Sequence, residues 1–266
     1  MTSQAHSPPR RPEYVIEHME EDDPDAPSVF PSWALLEYRH MLSLVGPGST
    51  VHFTSLSSAS VESLRKALKE DEGKGERANF ELHTASITTL AKQRGIGMEQ
   101  ICLLDPRAPL CLHASDAGLY PRPSSASSSS EVDGPFTHFL FGGILGDDPP
   151  RDRTGSLRAL GFPRRHLGAV QMTTDTALGV TRRIVEDGMG MGNKEDEGGA
   201  ERGSGPKGTL EWVAQPELKF GRGESVTMPF RYMRDPHAPA IAEPQPLLPP
   251  GMREHIKADL DRGFDF

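Results

Sequence analysis

The chain has 266 residues, of which 35% are apolar, a share below the usual globular figure, so part of it is expected to stay outside any core. Its 29 Lys and Arg face 38 Asp and Glu, a formal net charge of −9. That balance disfavours nucleic acid or a lipid headgroup surface, which are bound by phosphate neutralisation, and favours a basic partner such as a ribosomal or other nucleic-acid-binding protein.

Residues 1–12 are polar and Pro-rich and read as a disordered tail. A strand is predicted at 13–18, with Tyr14 and Ile16 on one face and Val15 on the other, and it runs into an acidic stretch that begins Glu20-Glu21-Asp22-Asp23. Ser32 reads as the cap of a helix over 33–45, stopped by Gly46. A second strand is predicted at 50–55. A helix follows at 61–69 with Val61, Leu64 and Leu68 on its apolar stripe, and another over 81–92. Residues 101–104 form a buried strand that ends at Asp105-Pro106, and 124–130 is an almost pure serine run that cannot bury itself.

Phe139-Leu140-Phe141 opens a further buried strand closed by Gly142-Gly143, and a helix is predicted at 152–160. A stronger one begins at Thr173, with Asp175 in its first turn and Ala177, Val180 and Ile184 on its inner face. Residues 188–208 are Gly-rich and charged and read as a second insertion. Late strands are predicted at 210–213 and 228–233, and a terminal helix at 252–261. Strands alternating with helices imply an α/β fold with a mostly parallel sheet flanked by helices. The expected organisation is one domain over 13–266 with flexible insertions at 121–134 and 188–209. Ligands bind such sheets beyond the carboxyl ends of the strands, where the loops after His18, Leu104 and Phe141 fall.

Two cysteines, Cys102 and Cys111, form no CxxC pair, so neither a disulfide framework nor a metal site is expected. No stretch approaches the roughly 18 apolar residues that span a bilayer, and the N-terminus lacks a signal-peptide core, so the expected compartment is the cytoplasm.

Two segments carry the chemistry. The first, FGGILGDDPPRDRT (141–154), puts glycines directly after a buried strand, where the backbone can approach a ligand, and then charges of both signs. It lacks the lysine and spacing of a phosphate-binding loop, and a tight turn before a salt-bridged helix start remains open. The second, QMTTDTA (171–177), offers free N–H groups and hydroxyls at a helix start, or only a well-made cap.

Taken in order, EYVIEHMEE (13–21), CLLDPRA (102–108), the two segments above and MPFRY (228–232) resemble the SPOUT-type methyltransferases of fungi and other eukaryotes that methylate an arginine of a small-subunit ribosomal protein, a family also labelled as RNA methyltransferases. The resemblance implies a SPOUT-like α/β fold with a C-terminal trefoil knot, an exception to the rule against threaded loops, and a monomer. It implies S-adenosylmethionine held by Leu104, Asp105 and Pro106, by Phe141, Gly142, Gly143, Ile144, Leu145 and Gly146, and by Leu167, Gly168, Gln171, Met172, Thr173, Thr174 and Thr176. An arginine acceptor stays protonated in water and has to be held by carboxylates and helped to lose a proton. Glu20 is expected to hold it and Asp152 to handle the proton, with Glu21 and Asp147 as further acceptor contacts. Arg153, counted with Glu20 and Asp152 as catalytic, and Arg151 either clamp the cofactor carboxylate or a substrate backbone, or pair with Asp147 or Asp148. Arg231 and Tyr232 are expected at the substrate cleft, although Phe230 beside them suggests core packing. An RNA methyltransferase and an inactive ribosome-assembly binder are the alternatives.

Overall fold

Tyr14, Val15 and Ile16 in succession are solvent-free, the pattern of a strand covered on both faces. In the computed structural model, which describes residues 11–19, 22, 26, 29–71, 73, 75–121, 134–143, 152, 154–192, 206–221, 223–239 and 243–263, this strand is β1 (Glu13–Glu17). It lies inside a six-stranded sheet with β2 (Thr50–Thr54), β3 (Asn79–Leu82), β4 (Ile101–Leu104), β5 (His138–Gly142) and the short β6 (Arg164–Arg165). The order is β3-β2-β1-β5-β4-β6 and every pairing is parallel.

Strand alternation sends Tyr14, Ile16, Val51, Phe53, Phe139 and Phe141 to one face. There they meet α1 (Ser32–Val45), α2 (Ser58–Lys69) and α5 (Thr174–Val185). Val15, Ile101, Leu103 and Leu140 point the other way, onto α3 (Ile87–Arg94) and α4 (Gly155–Arg158). The chain closes with two antiparallel ribbons and a terminal helix, α6 (Met252–Gly263). One ribbon pairs β7 (Trp212–Ala214) with β10 (Arg231–Met233), the other β8 (Glu217–Gly221) with β9 (Glu224–Thr227). Among the described residues, no helix is long and apolar enough to cross a membrane.

The mostly parallel α/β sheet flanked by helices stands as expected, with local differences. Residues 81–92 are not one helix. Phe80 and Leu82 pair with Val51 and Phe53 as an edge strand, and the helix waits for Ser86, whose hydroxyl caps Thr89 N–H. The buried Glu17 carboxylate also accepts the Ile87 N–H at 2.9 Å, fixing where α3 begins. Pro31, not Ser32, precedes the first turn of α1, with no side-chain cap. The helix expected over 152–160 is the single turn α4. Of the segment 188–208, Gly190 bridges Thr209 and Met191 is buried in the core; 193–205 lie outside the described residues, as does the serine run.

Candidate active site

The strand ends of β4 and β5 open a cavity of about 330 Å³. Leu104, Asp105, Pro106 and Arg107 follow β4 along one side, and Phe141 and Gly142 end β5. Asp152, Thr154 and Arg158 form a charged rim. Residues 167–172, with Thr174 and Ala177 of α5, form the remaining wall. The lining is an apolar slot of Leu104, Phe141, Leu167 and Met172 with polar groups gathered at the mouth, the usual make-up of a small-molecule site.

Hydrogen bonds between distant segments shape the walls. Gly143 and Gly168 take φ of +63° and +88°, a left-handed backbone that glycine adopts without strain. Gly143 N–H donates to Glu17 O at 2.9 Å, and its carbonyl accepts Thr174 Oγ1–H at 2.7 Å, tying the end of β5 to the start of α5. Gly168 N–H donates to His166 Nδ1 at 3.0 Å. Thr173 Oγ1 donates to Thr176 Oγ1 and accepts no backbone N–H of the first turn, so the cap expected of Thr173 is absent.

The rim is an arginine–carboxylate network. Arg158 forks onto Asp105, Nε to Oδ2 at 2.6 Å and Nη2 to Oδ1 at 2.8 Å, and Arg164 Nη1 adds a third contact at 2.9 Å. Arg158 also reaches Asp152 at 3.0 and 3.1 Å, and Arg107 Nη1 lies 3.1 Å from Asp152 Oδ2. Burial pushes the Asp105 carboxyl up, but hydrogen bonds from Arg158, the Arg107 N–H and Arg164 outweigh it and bring it down to about 2. Hydrogen bonding from Arg158 also lowers the Asp152 pKa, which weakens Asp152 as the proton acceptor expected from the sequence.

Of the expected cofactor residues, Leu104, Asp105, Pro106, Phe141, Gly142, Leu167, Gly168, Gln171, Met172 and Thr174 line this one cavity. Gly143, Thr173 and Thr176 are not among its lining residues. Glu20, Glu21, Ile144, Leu145, Gly146, Asp147, Arg151 and Arg153 lie outside the described residues. Arg231 and Tyr232, expected at the substrate cleft, are 2% and 1% exposed and do not line the cavity. Arg231 instead props its wall: Nη2 donates to Leu167 O and the backbone N–H to Gln171 O, both at 2.9 Å, while the guanidinium stacks 3.9 Å over Trp212. Arg107 and Arg158 were missed as rim residues. Arg107 sits inside the CLLDPRA motif and Arg158 just past the glycine-rich segment, but nothing local says that they converge.

Behind the α5 wall lies a buried polar group of Glu37, His40, Asp175 and Tyr232. His40 Nδ1 donates to Asp175 Oδ2 at 2.7 Å, whereas Glu37 Oε2, Asp175 Oδ1 and the Tyr232 hydroxyl meet no hydrogen-bond partner among the described residues. Burial first, then the Asp175 charge, pushes the Glu37 pKa well up, favouring the neutral acid. A carboxyl raised on folding contributes most below its ordinary pKa of about 4.3 and loses that contribution as pH rises. Glu37→Gln removes the proton requirement and should therefore raise Tm by about 2–4 °C at pH 8 and by less at pH 5. Equal shifts at both pH values in thermal melts would rule this out.

A parallel α/β sheet with an apolar, charge-rimmed cavity beyond its strand ends defines a small-molecule-binding protein of the α/β class. The sequence profile described as Protein arginine N-methyltransferase SFM1-like matches residues 13–263, and the chain belongs to that family. It is 33% identical to the Protein arginine N-methyltransferase SFM1 of Saccharomyces cerevisiae over 266 residues, covering 95% of this chain and 97% of that protein. The crystal structure of the yeast arginine methyltransferase SFM1 complexed with SAM superposes with a TM-score of 0.66 at 31% identity, over 96% of this chain and 93% of that one. The complex of the yeast enzyme with SAH gives 0.64 at 31% identity, over 92% and 94%.

Proposed function

We propose that the chain transfers a methyl group from S-adenosylmethionine to an arginine side chain of a basic small-subunit ribosomal protein. The volume and apolar slot suit an adenosine-sized ligand, and Arg107 and Arg158 at the mouth suit a carboxylate. The bound cofactor supplies an electrophilic methyl on a sulfonium. The protein supplies alignment and a grip on the acceptor, which together account for much of such a rate.

The observation that carries the acceptor class is the pairing of Asp152 with two guanidinium groups at the rim. Asp152, 38% exposed, already accepts Arg158 and the well-exposed Arg107, so an incoming arginine can take the place of Arg107 on a carboxylate set for that geometry. Asp152 in this reading holds the guanidinium. As the new N–C bond forms, the sulfonium keeps the C–S electron pair, and the proton lost from the attacking nitrogen leaves to water at the mouth or to a nearby carboxylate. The acidic run from Glu20 follows β1, whose last residue pairs with Gly142 at the cavity, and Glu20 and Glu21 serve as further acceptor contacts. The net charge of −9 suits a basic protein over RNA.

Transfer of labelled methyl is expected to a basic small-subunit ribosomal protein, and to vanish when its target arginine is lysine. Asp152→Asn is expected to raise KM for that acceptor about tenfold with unchanged cofactor Kd, the loss of one charge-assisted contact. Label on naked ribosomal RNA alone would replace this reading with the RNA alternative. Label on neither, with no cofactor heat in calorimetry, would leave a binding protein.

A further inference from the structure

The strands carry a second cluster that the methyl-transfer site does not use. β2 places His52 opposite Glu81 of β3, and alternation turns His83, two residues on, to the same side. His52 Nδ1 is 3.4 Å from His83 Nε2 and 3.8 Å from Glu81 Oε2, and His83 Nε2 is 3.3 Å from that oxygen. The circle through these three atoms has a radius of about 2.0 Å, the length of a Zn–N or Zn–O bond in proteins. One ion near its centre would lie within bonding distance of all three atoms.

The tautomer of His52 agrees with this. Its Nε2 lies 2.6 Å from Glu13 Oε2, and the same oxygen is 3.6 Å from His138 Nε2. A carboxylate at Nε2 fixes the ring proton there and leaves Nδ1 as a bare acceptor turned towards Glu81 and His83. This is the carboxylate–imidazole pairing that stands behind metal-bound histidines. Without an ion, the His52–His83 contact is a long, weak hydrogen bond.

We propose that His52, His83 and Glu81 form a binding site for a divalent transition metal of the zinc class, with Glu13 orienting His52 from behind. Arg94 shares Glu81 Oε2 in an ion pair and turns to the other carboxylate oxygen or to solvent when the metal enters. His52 is buried, His83 is largely so and Glu81 is 43% exposed, so the ion is reached from the Glu81 side, where water completes its coordination. The site links the edge strand β3 to β2.

The test uses the tag-free full chain, stripped with chelator and titrated with ZnCl2 by calorimetry and with CoCl2 by visible absorption. The expected result is one Zn²⁺ per chain, a Zn²⁺-dependent rise in Tm, and the intense d–d bands of four- or five-coordinate Co²⁺. His83→Ala and Glu81→Gln should each cut affinity more than tenfold, Glu13→Gln about 10–100-fold, as removal of an orienting partner does, and His237→Ala not at all. Wild-type protein that binds no Zn²⁺ tighter than roughly 100 µM overturns the proposal. So does affinity that survives both His83→Ala and Glu81→Gln. If either variant fails to fold, the wild-type Co²⁺ spectrum decides, and the faint bands of octahedral Co²⁺ count against the site.

Discussion

Asp105→Ala is expected to cost about 3 kcal/mol, the low end of the penalty for breaking a buried ion pair, because Arg158 and Arg164 can partly turn to water. In a chain of this size that lowers Tm on the order of 10 °C. Asp105 itself has no such freedom, since its side chain is fully buried and accepts Arg158, Arg164 and the Arg107 N–H together. Cofactor affinity should fall at least tenfold, because Arg158 loses the fork that holds it over the cavity beside Asp152. Asp105→Asn, which keeps the shape and loses the charge, separates the two effects through its acid limb. The native carboxyl titrates at about 2, below the ordinary Asp value of about 3.9, so its contribution is complete above about pH 4 and is lost as pH falls towards 2. Melts between pH 5 and pH 2 should therefore show a flatter loss of stability for Asp105→Asn than for the wild type. Parallel acid limbs would refute the role given to this carboxylate.

Arg231→Ala should be nearly as damaging. Truncation empties the space over Trp212, removes a desolvated cation–π contact of about 2 kcal/mol and leaves the Leu167 carbonyl without this donor. Because Leu167 is a wall residue and Gln171 is hydrogen-bonded to the same strand, cofactor Kd should rise at least tenfold even at temperatures where the variant stays folded. Arg231→Lys keeps the charge but not the planar stack, and should recover only part of both losses. Calorimetric cofactor titration of the folded variants is the deciding measurement. An unchanged Kd in Arg231→Ala would mean that the stack serves the β7–β10 ribbon alone.

Much of the fold was legible because its signals are local. Ile101-Cys102-Leu103-Leu104 and Phe139-Leu140-Phe141 are short apolar runs of the kind a two-sided parallel sheet buries, and both are buried strands of it. The helix after Thr173 carried its stripe in plain spacing, and Val180 and Ile184 are buried as read. The segment 81–92 differs because Glu81 and Leu82 end a four-residue edge strand, and pairing with β2, which is distant in sequence, separates them from the helix that starts at Ile87. The β8–β9 ribbon has no long signal in the sequence because its strands, although alternating, are five and four residues long and lie largely on the surface.

By itself the sequence determined the class of fold and the family, and its motifs supplied residues of 104–106, 141–142 and 167–174 that line one cavity, since each motif is continuous and carries its own glycines, prolines or threonines. Tertiary structure alone decided which charges meet. Arg158 finds Asp105, Arg231 turns inward onto Trp212 and Leu167, and His52 comes level with Glu81 and His83. The physical reason is that these contacts depend on strand order and register. A shift of one residue would send each of the strand-borne side chains to the opposite face, and no local pattern of residue types records which face that is.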